Sequence, residues 1–81
     1  MRRVRGVTAA EQQKVDTIIR QTMNASDSER EAVRSIRVDA VPISREYGIS
    51  VAAIARVMRA YFGERAFPLR YEARLGRGRG R

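Results

Sequence analysis

Along most of the chain, apolar residues recur at spacings of three and four, the period of one face of an α-helix. Val15, Ile18, Ile19 and Met23 form the first stripe, behind Thr8-Ala9-Ala10-Glu11, which has the form of a capping box. The pattern predicts a helix over about 9–24, closed by the turn-forming Asn24-Ala25-Ser26. Two overlapping capping boxes, Ser26 to Glu29 and Ser28 to Glu31, introduce a second helix over about 27–38. Ala32, Val33 and Ile36 are its buried stripe, and Arg30, Arg34 and Arg37 lie on its wet face. Glu29 and Glu31 stand near enough along the helix to pair with those arginines, so pairing or solvation is expected ahead of phosphate contact.

A third helix is expected from Asp39, its candidate cap, with Pro42 in the first turn, where a missing N–H costs nothing. Pro42 disfavours a helical Val41, which leaves this start uncertain by a few residues. Ile43, Tyr47 and Ala40 are its inward positions, and Gly48 is a natural stop. Ser50 then caps a fourth helix, about 51–62, carrying Ile54, Val57, Met58 and Tyr61 at helical spacing and ending at Gly63. Beyond it, Leu69, Tyr71, Ala73 and Leu75 alternate with charged residues, a period of two that predicts a short strand. A helix starting at Pro68 is the alternative. Residues 76–81 alternate glycine and arginine; they lack core-forming side chains and are expected to be disordered without a partner. The fold class is therefore all-α: a small four-helix, or five-element, bundle over 8–75, with a basic arm at 1–7 and a flexible Arg-Gly tail at 76–81.

Composition narrows the chemistry. The chain of 81 residues has no cysteine and no histidine, which removes thiolate and imidazole metal ligands and imidazole bases. No catalytic constellation is visible, so no enzyme activity, cofactor, metal or small-molecule ligand is expected. The longest apolar run, Val51 to Ala55, is far shorter than the ~20 residues of a membrane span. MRRVRGV has the charge of a signal peptide with no apolar segment behind it, so a cytoplasmic protein, associated with the nucleoid, is expected.

The net charge is +8, and it is unevenly placed. Residues 1–7 carry three arginines and no acid, residues 8–39 five bases and six acids, residues 40–63 three arginines against Glu46, and residues 64–81 six arginines against two acids. The first half is a near-neutral scaffold, and the ends are electropositive, as expected of a polyanion binder. Of the seventeen bases only Lys14 is not arginine. GC-rich codon usage is expected to account for more than half of that ratio, but not for where the charge sits.

Within this frame, residues 40–59 (AVPISREYGISVAAIARVMR) resemble the helix-turn-helix of phage and bacterial regulators, resolvases and related DNA-binding proteins. Ser44 is small where the helices approach, Gly48 permits the left-handed turn, Ile49 plugs the corner, and Ile54 and Val57 anchor the second helix. Serine stands at 44 where the family prefers alanine, and Pro42 bends or shortens the first helix. The resemblance implies a recognition helix over about 51–62 lying in the major groove. Its expected base-reading residues are Ser50, Val51, Ala52, Ala55 and Arg56, with Arg56 first for guanine and the small apolar side chains for a thymine methyl. Arg45 and Arg59 are the expected phosphate contacts.

Arg2, Arg3 and Arg5 at one end, and Arg77, Arg79 and Arg81 at the other, are expected as phosphate-binding arms. The tail weakly resembles an AT-hook, without the flanking prolines of that motif. Together these features imply a sequence-specific regulator of transcription on double-stranded DNA, of phage or mobile-element type, dimerising through its first helix. An architectural, recombination or packaging factor, an RNA-binding protein and a polymerase-binding protein are the alternatives.

Overall fold

The computed structural model describes residues 3–79, with side chains through residue 75. Five α-helices follow one another: α1 Ala9–Ala25, α2 Glu29–Val38, α3 Ala40–Tyr47, α4 Val51–Phe62 and α5 Leu69–Arg79, with a 3-10 turn at Glu64–Ala66. There is no strand among the described residues, and the all-α expectation holds.

Capping chemistry sets the helix starts. The Thr8 hydroxyl accepts from the Glu11 N–H at 3.1 Å while the Thr8 N–H donates to the Glu11 carboxylate at 2.9 Å, so both halves of the box are made. Ser28 caps α2 by accepting from the Glu31 N–H, and the Glu31 carboxylate reaches back to the Asp27 N–H at 3.0 Å. Asp39 sits between α2 and α3 with no side-chain cap bond, contrary to its expected role. It also closes α2, so the two helices share one junction residue.

α4 is the centre of the molecule. It packs against α1, α3, α5 and the 3-10 turn, and six of its twelve residues are buried. Ile54, Val57 and Met58 join Val15, Ile36 and Phe67 as the largest fully buried side chains. Phe67, between the 3-10 turn and α5, meets the Tyr71 ring edge-on with centroids 5.4 Å apart.

Residues 69–75 are helical, which corrects the expected strand. A lone strand would leave its N–H and C=O groups without a partner, and this chain offers none. Instead the Pro68 carbonyl accepts from the N–H groups of Tyr71 and Glu72 at 3.0 and 3.1 Å. Tyr71 and Leu75, one turn apart, pack against the core, while Leu69 is exposed. The backbone of α5 continues to Arg79, which corrects the expectation of a wholly disordered tail. Leu75 anchors the last turn before the glycines. Gly80 and Arg81 lie outside the described residues.

The N-terminal segment is also corrected. Residues 3–7 are a strap docked on the bundle, with Val4 and Val7 inside the core. The Val4 N–H donates to the buried Gln12 side chain at 2.8 Å, and Arg3 donates to the Val7 carbonyl at 3.0 Å. Two valines three residues apart give this segment a hydrophobic reason to stay down, which outweighs its charge. Arg2 lies outside the described residues.

Candidate nucleic-acid interface

The junction between α3 and α4 is fixed by local contacts. Gly48 adopts the left-handed conformation, φ 66° and ψ 36°, which is cheap only for glycine. Ile49 turns inward and is buried, its N–H donating to the Ser44 carbonyl at 3.2 Å. The buried Ser44 hydroxyl donates to the Ile49 carbonyl. An alanine at 44 would leave that carbonyl unanswered, so serine is here a structural choice. Lys14 caps the end of α3 from α1, its ammonium donating to the Tyr47 carbonyl at 3.1 Å. Ser50 accepts from the Ala53 N–H at 3.0 Å and starts α4.

The surface that α4 offers is much narrower than expected. Of the five expected base readers, Ser50 and Arg56 are exposed and Ala52 is half-buried. Val51 is 4 % exposed and Ala55 is fully buried, so neither can touch a base; both belong to the core. The reason is coverage. α4 has neighbours on most of its circumference, with α1, α3 and the 3-10 turn around its apolar arc and the strap and α5 flanking its polar edge. Small apolar residues that could meet a thymine methyl serve as well for close helix packing.

Arg56 and Arg59 lie on the open edge, and each has a partner. The Arg56 guanidinium donates to the Gly6 carbonyl in the strap at 3.3 Å. Arg59 is half-buried and donates from one nitrogen both to the Phe67 carbonyl at 2.9 Å and to the Glu72 carboxylate at 3.0 Å. It is committed to holding α5, which corrects its expected role as a phosphate contact. Arg45 is exposed on α3, and Arg3 and Arg5 are exposed on the strap. Arg77 and Arg79 belong to the last turn of α5 by backbone alone, and Arg81 lies outside the described residues.

Beside the strap, Tyr61 links α4 to α1. Its hydroxyl donates to the Asp16 carboxylate at 2.7 Å and accepts from the Gln12 amide at 3.0 Å. Partial burial and the Asp16 carboxylate raise the Tyr61 hydroxyl above its ordinary value of 10.0, against a smaller opposing effect of Gln12. α1 keeps little apolar surface for a second copy: of its stripe, Val15, Ile18 and Ile19 are inside, and only Met23 is exposed.

A strongly basic concavity lies elsewhere. A cleft of about 820 Å³ opens between α2 and the 3-10 turn. Arg30, Arg34 and Arg37 line one side and Arg65 the other, over Val33, Phe62 and Ala66, with Glu29 as its single acid. Arg37 is half-buried, donates to the Ala66 carbonyl at 3.3 Å and stacks over Tyr71 at 5.9 Å. Arg30, Arg34 and Arg65 are exposed. Of the two expectations for the α2 arginines, pairing with Glu29 and Glu31 is absent, while Arg30 and Arg34 stand in solvent; among the described residues the one ion pair is Arg59 with Glu72. Their i, i+4 and i+7 spacing was readable in the sequence, but the facing Arg65 was not.

Among the described residues, no helix is long and apolar enough to cross a membrane. Comparison with known proteins finds no matching family model, no matching curated protein and no matching solved structure.

Proposed function

We propose that this protein binds double-stranded DNA, chiefly through its phosphates and with a narrow capacity to read bases. One observation carries the reading: the arginine charge is not neutralised within the fold. Nine arginines outside α1 are exposed, Arg3, Arg5, Arg30, Arg34, Arg45, Arg56, Arg65, Arg70 and Arg74, and the single ion pair among the described residues involves none of them. Several of the acids are occupied otherwise. Glu11 and Glu31 answer backbone N–H groups and Asp16 answers a tyrosine. Exposed guanidinium groups in this number favour a polyanion, from which counterions are released on binding.

An architectural, recombination or packaging role follows more readily than strict operator recognition. With Val51 and Ala55 inside, only Ser50, Ala52 and Arg56 of the expected base readers are left to face a groove, which limits direct readout to about one or two base pairs. The exposure of Ser50 and Arg56 at the start of α4 favours some sequence preference, and this is the basis on which a regulator remains the second reading.

Fluorescence anisotropy with a random-sequence duplex tests the main reading. Affinity should fall roughly a hundred- to a thousand-fold between about 50 and 200 mM salt. Absence of binding at the lowest salt, or binding indifferent to salt, would sink it. Displacement of the duplex by structured RNA at lower concentration would point to a ribonucleoprotein role instead. Selection of bound sites from a random duplex pool then separates the two DNA readings: a symmetric half-site supports the regulator, and weak preference supports the architectural role.

A further inference from the structure

We infer that the cleft between α2 and the 3-10 turn is a clamp for consecutive phosphates of one DNA strand, gripped by Arg30, Arg34 and Arg65. The inference rests on the duplex-binding reading and adds a site outside the α3–α4 unit.

The geometry of α2 carries the first half of the argument. Arg30 and Arg34 are one turn apart on one helix face, about 6 Å along the axis, and both are exposed. Successive phosphates of one strand advance about 3.4 Å along a duplex, so a strand lying obliquely over this face meets both forks. Arg65 comes from the opposite wall of the same cleft. Two walls of guanidinium enclose a backbone as a single convex helix face does not.

The shape of the cleft is held by a residue that is itself committed to the fold. Arg37 ties the 3-10 turn to α2 through the Ala66 carbonyl and rests on Tyr71. It is therefore not counted among the phosphate ligands, but it fixes the spacing of those that are. Glu29 stands in the first turn of α2, so the acid marks one end of the cleft and a phosphate is repelled there. At the other end the basic surface continues past Tyr71, which shares a shallow recess with Arg70 and Arg74. A strand entering at Arg30 and leaving toward α5 stays on arginine throughout. Planar guanidinium forks match phosphate oxygens bidentately, and the apolar lining of Val33 and Phe62 lies where a sugar face would pass.

The test compares single arginine removals of equal charge in the full chain. Arg34→Ala and Arg65→Ala, on the two walls, should each lower the slope of log affinity against log salt by about one and weaken every duplex sequence alike, about 5- to 10-fold near 100 mM salt. Arg20→Ala, an exposed arginine of α1 lining a different recess, should change the slope little. Circular dichroism melts of all three should coincide with the parent, so that loss of fold does not imitate loss of binding. Equal losses in all three variants would mean diffuse charge attraction and overturn the clamp. So would cleft variants that bind like the parent while the parent still binds duplex. A polyglutamate peptide of matched charge that competes as well as duplex would overturn the phosphate assignment. If the unaltered chain fails to bind duplex at all, the functional reading falls first and the clamp with it.

Discussion

The Arg56 guanidinium donates to the Gly6 carbonyl at 3.3 Å, so the arginine first expected to read a base is a fastener for the N-terminal strap. Gly6 has φ 81°, and a Cβ built there would stand 3.3 Å from both Cδ and Nε of Arg56. Gly6→Ala therefore meets two costs at once: a left-handed backbone worth about 1–2 kcal/mol to an L-residue and a crowded contact with Arg56. The variant should lose at least about 1–2 kcal/mol in urea unfolding. A midpoint equal to the parent would show that the strap contributes nothing to stability.

A second contact commits an arginine to the fold. Glu72 fixes Arg59 at 3.0 Å with both side chains roughly four-fifths buried, at 18 % and 22 % exposure. Glu72→Gln removes the carboxylate charge and leaves Arg59 with the Phe67 carbonyl and, at most, a neutral amide oxygen. The pair is neither fully exposed nor fully buried, so the expected loss is about 1–2 kcal/mol. The same change raises the net charge by one, next to a surface already rich in arginine. Duplex affinity at low salt should therefore rise while thermal stability falls, as read by anisotropy and a melt on one preparation. Affinity and stability falling together would mean that Glu72 supports the binding surface instead of restraining it.

Much of the helical frame was legible in the sequence because it depends on neighbours in the chain. The capping boxes at Thr8 and Ser28, the left-handed Gly48 and the Ser50 cap all act within four residues. The failures share the opposite character. Leu69, Tyr71 and Leu75 read as alternating strand positions, yet with no second strand to pair, the helix satisfies their backbone and Leu69 faces water. Val51 and Ala55 read as groove-facing because small apolar side chains suit a base edge and a helix contact equally well. Only the long-range packing around α4 decides between them. Val4 and Val7 were a usable signal for the strap, obscured by the three arginines around them. On α2, local pairing of Arg34 with Glu31 was reasonable until the structure engaged the Glu31 carboxylate with the Asp27 N–H.

The Tyr61 hydroxyl supplies a pH dependence. Burial first, and the Asp16 carboxylate after it, raise its pKa in the folded chain above the ordinary 10.0. The folded state thus holds this proton more tightly than the unfolded state does. The corresponding stability is complete below pH 10.0 and is lost as pH climbs from there through the folded value. The melting temperature should fall as pH climbs above about 10, and Tyr61→Phe, which has no proton to lose, should fall less steeply over the same range. Parallel curves for the two proteins would remove Tyr61 from the account.

The narrowing of the α4 surface can be tested directly at two alanines that the sequence treats alike. Ala52 is half-buried on the open edge, and Ala55 is fully buried one turn away from Val51. Glutamine at 55 would overpack the core, at about 1–3 kcal/mol, and would strand an amide there, at about 1–3 kcal/mol more. A domain of this size has little margin for such a loss, so Ala55→Gln should be partly or wholly unfolded by circular dichroism. Glutamine at 52 can extend into solvent, so its stability should stay within about 0.5 kcal/mol of the parent. Since Gln can bond adenine edge-on, Ala52→Gln should also shift the weak sequence preference at one base pair in a selection from random duplex. A recognition helix standing clear of its domain would accept both substitutions equally. Equal tolerance would therefore restore Val51 and Ala55 to the DNA surface and argue against α4 as the central packing element.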